Sequence, residues 1–212
     1  IQGELGAYSH IAAESLYKEA EIKTCATFEE TFKYAYNDQN FKIVIPIENS
    51  LAGRVADIHY LLPKYKLQIH GEHFQAVEHN LLCKQEASID DIKFVRSHAQ
   101  AIGQCQNMIN KRKFKPIISA DTAGSAKDLA EGEDKSIAAI ASELSAKIYN
   151  LKILEKNIED EKGNVTRFLI MGKNIEQPEF SKNKKFITSC IFRVKSEPSA
   201  LYKCLGGFAT NQ

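Results

Sequence analysis

Apolar residues in this chain recur with two periods, and the switches between them mark out its elements. Thr27-x-x-Glu30 is a capping box opening a helix with Phe28, Phe32, Ala35 and Tyr36 on its apolar positions. Phe41 to Ile47 reads as a short strand rich in β-branched residues. Gly53 closes a turn, Val55, Ile58, Leu61 and Leu62 return to helical spacing, and Pro63 stands where that helix should stop. Leu67 to Cys83 predicts one or two extended strands, and Ile92 to Val95 another. Ser97-x-x-Gln100 is a second capping box. Ile117 and Ile118 mark a strand, Asp121-Thr122 caps a helix through Ala130, and Ser136 to Ala141 is a strand followed by a helix from Ser142 to Tyr149. Phe168-Leu169-Ile170-Met171 reads as a buried strand. This alternation predicts α/β architecture with mainly parallel sheets.

The pattern then breaks. Residues 173–184 are polar, contain Pro178 and lack periodicity, as a linker would. Phe186 to Val194 predicts a new strand, Pro198 stands where a first helical turn would begin, and Ala200, Leu201, Leu205 and Phe208 form a helical stripe. One strand and one helix cannot bury a core alone, so this piece is expected to be half of a small domain or to pack on something else.

The 212 residues suggest one or two domains at about 100–200 residues each. A net charge of +1 gives no electrostatic reason to bind nucleic acid or an anionic membrane surface. No apolar run approaches the roughly 20 residues of a membrane-spanning helix, and no signal peptide is visible. Cys25, Cys83, Cys105, Cys190 and Cys204 are odd in number and form no C-x-x-C, so reduced thiols in the cytoplasm are expected rather than a disulfide framework or a Cys-rich zinc site. The chain begins at Ile1 rather than Met, which leaves room for earlier residues, including most of a first strand.

Four strand-to-helix junctions carry small polar residues: Ser9, Glu48-Asn49-Ser50, Ser97-His98 and Asp121-Thr122. Ligands of open α/β sheets bind beyond the carboxyl ends of the strands, where helix N-termini present free N–H groups to an anion. Each junction taken alone also fits ordinary N-capping. Glu48 is expected to be at least partly buried, and so to need a partner or a shifted pKa. The Asn164-Val165-Thr166-Arg167-Phe168 cluster offers a hydroxyl and a guanidinium at the mouth of a strand, although its first three residues also fit a glycosylation sequon. His70-x-x-His73 with His79 invites a metal, but strand positions i and i+3 point to opposite faces, so a structural role is favoured. Lys111-Arg112-Lys113 and Lys184-Lys185 read as solvated faces, and Gly3-x-x-Gly6 is too short for a dinucleotide fingerprint.

Read together, Pro46-Ile47-Glu48-Asn49-Ser50 with Gly53-Arg54-Val55, Ser97-His98-x-Gln100-Ala101-x-x-Gln104-Cys105 and Asn164-x-Thr166-Arg167-Phe168 strongly resemble the prephenate dehydratase family. Gly3-Glu4-Leu5-Gly6-Ala7-Tyr8-Ser9 and Ala138-Ala139-Ile140-Ala141-Ser142 fit the same family, in order along the chain. The resemblance implies a catalytic part, 1–172, of two α/β subdomains with a central cleft, like a type II periplasmic binding protein. One subdomain would be about 1–75 plus 155–172 and the other about 76–154. A linker at 173–184 and the N-terminal part of a ferredoxin-like α+β ACT regulatory domain at 185–212 would follow. There Pro198-Ser199-Ala200-Leu201 stands where the family has Pro-Gly-Ala-Leu.

The implied reaction is the decarboxylating dehydration of prephenate to phenylpyruvate, with no cofactor and no metal. Thr166, Glu48, Asn49 and Gln104 would carry the catalysis. Ser9, Ser50, Ser97, His98, Thr122, Arg167 and Phe168 would line the substrate, although the apolar strand around Phe168 favours the core for that ring. Thr166 would donate a hydrogen bond to the departing hydroxyl, and Arg167 would pair with a carboxylate or brace the subdomains. L-phenylalanine is the implied effector, at Ser199, Ala200 and Leu201, and a homodimer or homotetramer the implied assembly. The rival readings are an arogenate dehydratase and a non-catalytic small-anion binding protein.

Overall fold

A computed structural model describes residues 1–173, 179 and 181–210. In chain order the elements are α1 (Tyr8–Leu16), α2 (Phe28–Asn37), β1 (Ile43–Asn49), β2 (Gly53–Arg54), α3 (Ala56–Tyr65), β3 (Gln68–Ala76), β4 (Asn80–Cys83) and β5 (Phe94–His98). They continue as α4 (Ala99–Gln104), α5 (Gln106–Arg112), β6 (Lys115–Ser119), α6 (Thr122–Glu131), β7 (Ile137–Ala141), α7 (Glu143–Ile148), β8 (Lys152–Glu155), β9 (Val165–Gly172) and α8 (Ala200–Thr210). The chain divides into two compact units, Ile1–Ile175 and Glu176–Gln212. Among the described residues no helix is long and apolar enough to cross a membrane.

The first unit holds two sheets. One has the order β2-β1-β9-β3 and the other β6-β5-β7-β4-β8. Strand alternation explains how each is covered. Ile43, Ile45 and Ile47 of β1 join Leu169 and Met171 of β9 under Phe32 and Ala35 of α2 and Ile58 and Leu61 of α3. Val44, Phe168 and Ile170, on the opposite face, pack against Ala12 and Ala13 of α1. In the second sheet Leu81, Val95, Ala138 and Ile140 pack with Ala101, Ile102 and Ile109 of α4 and α5. Leu82, Ala139 and Ala141 face Ala126, Leu129 and Ala146 of α6 and α7.

The sheets are not mainly parallel. Among the described strands only β5–β6 and β5–β7 pair parallel, and the first sheet is antiparallel throughout. Apolar alternation reports which face a residue occupies and is silent on strand direction. Here β9 enters between β1 and β3 after a long excursion through the second sheet, and it runs against both.

Local signals also resolve differently from expectation. Thr27 accepts from the Glu30 N–H as expected, but the Glu30 carboxylate accepts from the Ala26 N–H. Pro63 lies inside α3, which ends only where Lys66 turns left-handed at φ 49° and donates to Leu62 O. The Ser97 box does not form. Its hydroxyl donates to Ile140 O at 2.7 Å, and the His98 ring caps α4 by accepting from the Gln100 N–H.

The second unit carries α8, but residues 186–194 form no strand. A ladder needs a neighbour, and no other strand is present among the described residues of this unit. The ferredoxin-like arrangement is therefore not formed there. Residues 174–178 and 180 of the expected linker lie outside the described residues.

The opening segment ties the two sheets of the first unit together. Gly6 O accepts from the Ser142 and Ser145 hydroxyls at the start of α7, Tyr149 donates to Leu5 O, and the Gly6 N–H donates to His10 Nδ1. Gly6 sits at φ +89°, and a Cβ there would lie 2.8 Å from Ser145 Cα and closer still to its hydroxyl. Gly6→Ala is expected to cost about 2–3 kcal/mol of unfolding free energy, read as a lowered urea midpoint.

Candidate active site

Strand β1 bears an irregularity that builds the site. Its register with β9 shifts between Pro46 and Glu48, so Pro46 opposes Phe168 while Glu48 opposes Arg167 and Asn49 opposes Thr166. Proline has no N–H to give the ladder, which suits it to such a bulge. With an even register Asn49 would face Val165 instead. The extra residue thus sets a carboxamide directly opposite a hydroxyl.

The Asn49 side chain is fixed by groups that can only donate. Its Oδ1 accepts from the backbone N–H of Leu51 at 3.0 Å and of Ala52 at 2.8 Å. Its Nδ2 therefore donates, to Thr166 Oγ1 at 2.9 Å and to Asn164 Oδ1 at 2.6 Å. Asn164 Nδ2 passes the polarity on by donating to Gln104 Oε1 at 3.0 Å, and His79 Nε2 lies 2.9 Å from the same oxygen. Asn49, Asn164 and Thr166 sit on the first sheet and its approach, whereas Gln104 ends α4 and His79 precedes β4. This chain of neutral groups spans the two halves of the first unit.

The loop 156–164, which returns the chain to the first sheet, is pinned at the same place. Ile158 N–H donates to His79 O, Asp160 N–H to Gln104 O, and the His79 N–H to the Glu159 carboxylate. Ser50 holds the mouth of β9, its hydroxyl accepting from the Val165 N–H and its N–H donating to Val165 O.

Burial sets the charge states. The His79 ring is 3% exposed, and burial holds its pKa below the ordinary 6.5 against the opposing pull of Gln104 and Glu159. Burial also raises the Tyr8 phenol, helped by Glu159, Cys105 and Glu78. The Cys105 thiol is pushed up by burial and then by Asp160 and Glu159, so it is not poised as a nucleophile.

Thr166, Asn49 and Gln104 are thus brought together, while Glu48 is not part of that chain. Glu48 is 54% exposed rather than buried, because the strand end carries it to the surface, where its carboxylate meets Arg167 at 3.1 Å. Arg167 also meets Glu72 at 2.7 Å and lies over the Phe74 ring, bracing the strands of one sheet. Phe168 belongs to the core at 2% exposed, which corrects its place among substrate-lining residues. Ser9 lies within α1 and donates to Gln2 O, Ser97 is fully buried on Ile140 O, His98 caps α4, and Thr122 opens α6 behind the Asp121 cap. Ser199, Ala200 and Leu201 lie in the second unit, where Ser199 takes φ +65°. Asn164 is 3% exposed with its side-chain oxygen and nitrogen both bonded, an unsuitable glycan acceptor.

Sequence reasoning misses the part that His79 and Tyr8 take, since it weighs His79 only between a metal ligand and, as the favoured reading, a structural role. The available signal is the place of His79 just before the apolar run Leu81-Leu82-Cys83. A cavity of about 390 Å³ lies elsewhere, beside Tyr17, Tyr34 and Phe41, and includes none of these residues.

His79, His10 and His70 are all held below 6.5 by burial, so the folded state binds fewer protons than the unfolded chain. Their stabilising contribution is complete above the unfolded pKa and is lost as pH falls through the folded values. Urea titrations from pH 7 to about pH 5 should show falling stability, with a shallower slope in His79→Gln.

The family model described as Prephenate dehydratase matches residues 1–176. The chain is 39% identical over 213 residues to a bifunctional N-acyl-homoserine lactone acylase/prephenate dehydratase of Komagataeibacter europaeus, covering 99% of this chain and 74% of that protein. It is 40% identical over 211 residues to arogenate dehydratase/prephenate dehydratase 2, chloroplastic, of Arabidopsis thaliana, covering 100% of this chain and 55% of that protein. The chain thus spans about half the length of the plant relative. The crystal structure of the prephenate dehydratase from Staphylococcus aureus subsp. aureus Mu50 superposes at a TM-score of 0.75 with 27% identity, covering 98% of this chain and 77% of that one. With the family matched over 1–176 and the motif residues Asn49, Gln104 and Thr166 assembled in one network, the chain belongs to the prephenate dehydratase family.

Proposed function

We propose that this chain catalyses the decarboxylating dehydration of prephenate to phenylpyruvate, water and CO2. The bond from the ring to its carboxylate breaks, its electron pair enters the ring, and the C–O bond to the ring hydroxyl breaks. The departing oxygen takes up a proton drawn from solvent and leaves as water. Aromatisation drives the step, so the protein must place the substrate and stabilise the negative charge growing on the leaving oxygen.

The observation that carries this reading is the Asn49–Thr166 hydrogen bond. Because Asn49 Nδ2 donates to Thr166 Oγ1, the threonine's own proton remains to be given to another acceptor. A threonine hydroxyl is too weak an acid to transfer that proton outright near neutral pH. Its role is to donate a hydrogen bond that strengthens as charge builds on the leaving oxygen. Gln104, whose oxygen faces His79 and Asn164, keeps its NH2 group for a substrate carboxylate or hydroxyl. Neutral donors suit the ring carboxylate, since a tight ion pair there would stabilise the ground state and slow loss of CO2. Arg167, already engaged by Glu48 and Glu72, is consistent with that restraint.

The same reading takes 185–212 as the beginning of an ACT domain, with L-phenylalanine as effector at Ser199, Ala200 and Leu201 and a homodimer or homotetramer as the assembly. Its support is the Pro198-Ser199-Ala200-Leu201 turn leading into α8. Arogenate, which carries an amino group where prephenate has a keto group, is the second reading, favoured by the description of the plant relative.

The test is phenylpyruvate formation from purified prephenate near neutral pH, beside phenylalanine formation from arogenate. Thr166→Val should lower kcat by about 10²–10³ while still unfolding in one cooperative thermal transition. Near-normal turnover in that variant would remove Thr166 from the reaction. A folded wild type inactive on both substrates would favour the binding-protein reading.

A further inference from the structure

We infer that His79 is a positioning residue of the proposed reaction, a neutral Nε2–H donor that holds the Gln104 carboxamide with its oxygen inward and its NH2 group kept for substrate. The inference rests on the function proposed above and adds a residue outside the motif that suggested it.

The polarity follows from two backbone amides. Leu51 and Ala52 can only donate, so Asn49 Oδ1 must accept and Asn49 Nδ2 must donate. Asn164 Oδ1 accepts that donation at 2.6 Å, which makes Asn164 Nδ2 the donor to Gln104 Oε1. Gln104 Oε1 is therefore an acceptor, and the His79 nitrogen 2.9 Å from it must bear the hydrogen. In the neutral ring the other nitrogen, Nδ1, carries no proton; it lies 3.3 Å from the Tyr8 hydroxyl, whose single proton is directed to Glu78 O at 2.6 Å.

The ring has little freedom to leave this arrangement. The His79 main chain is held at both ends, its N–H by Glu159 and its carbonyl by Ile158 N–H. Tyr8 packs edge-on against the ring, with centroids 5.9 Å apart. Without the Nε2–H, Gln104 Oε1 would keep Asn164 as its donor but lose the second bond that opposes rotation of the amide. A rotated amide would aim its NH2 group into the protein and present an oxygen to a substrate carboxylate.

Two substitutions and one spectroscopic measurement test this. His79→Leu removes the donor and is expected to lower kcat/KM about tenfold, the rate equivalent of one neutral hydrogen bond. His79→Gln, which can bring an N–H to about the same place, should recover most of that loss. In a Gln104→Leu background His79→Leu should have little further effect, because its action runs through that amide. An equal loss in His79→Leu and His79→Gln, or a full additional loss in the Gln104→Leu background, would overturn the inference in favour of a packing role. The ¹⁵N spectrum of the wild-type histidines needs no turnover and separates this inference from the proposed function. The Nε2–H tautomer at pH 7 is expected, and an Nδ1–H tautomer or an imidazolium for His79 would sink the assignment even in an active enzyme.

Discussion

The site depends on the orientation of one carboxamide. Asn49 could face its neighbours either way round, but the N–H groups of Leu51 and Ala52 admit only one arrangement, and every later hydrogen bond inherits its direction. Thr166, Asn164, Gln104 and His79 follow in turn, each accepting or donating as the previous partner requires. Two backbone amides in the turn after β1 thereby set the protonation pattern of a ring across the molecule. The bulge at Pro46 is the prior condition, since it lets Asn49 meet Thr166 at all.

The network also has a mechanical side. It joins groups from both sheets of the first unit. The opening segment, bound through the backbone of Leu5 and Gly6 to Tyr149 and the start of α7, joins them again at another point. The loop 156–164 adds a third tie through Ile158, Glu159 and Asp160. Since buried polar groups cost free energy when left without partners, these contacts hold the halves to a narrow set of relative positions. Glu4 and Lys127 meet across the same junction, but as an exposed pair they add little to that.

Charge is kept apart from the neutral chain. Arg167, one residue from Thr166, commits its guanidinium to Glu48 and Glu72 within the first sheet. Strand alternation sends it to the face opposite Thr166, so a strong cation and a weak hydroxyl donor sit side by side in sequence without sharing a surface. Burial keeps His79 neutral and Tyr8 and Cys105 protonated, which leaves hydrogen bonding rather than proton exchange as the chemistry of this region.

Most elements of the first unit, and the motif residues, were legible in the amino-acid order alone. Apolar periodicity located most strands and helices of the first unit because it reports burial, whereas Asn49, Gln104 and Thr166 stood out only when their clusters were read together as resembling one family, since each polar junction alone also fits ordinary N-capping. Strand direction, the exposure of Glu48, the burial of Phe168 and the capping of α4 by His98 instead of Ser97 were decided only in three dimensions. So was the missing strand at 186–194, because a ladder forms only when a neighbouring strand is supplied. His79 shows the same limit most plainly. It lies 25 positions from Gln104, and nothing in the spacing of the two reveals that one donates to the other. Local sequence encodes which face a side chain takes, whereas the partner it meets depends on how distant segments close upon each other.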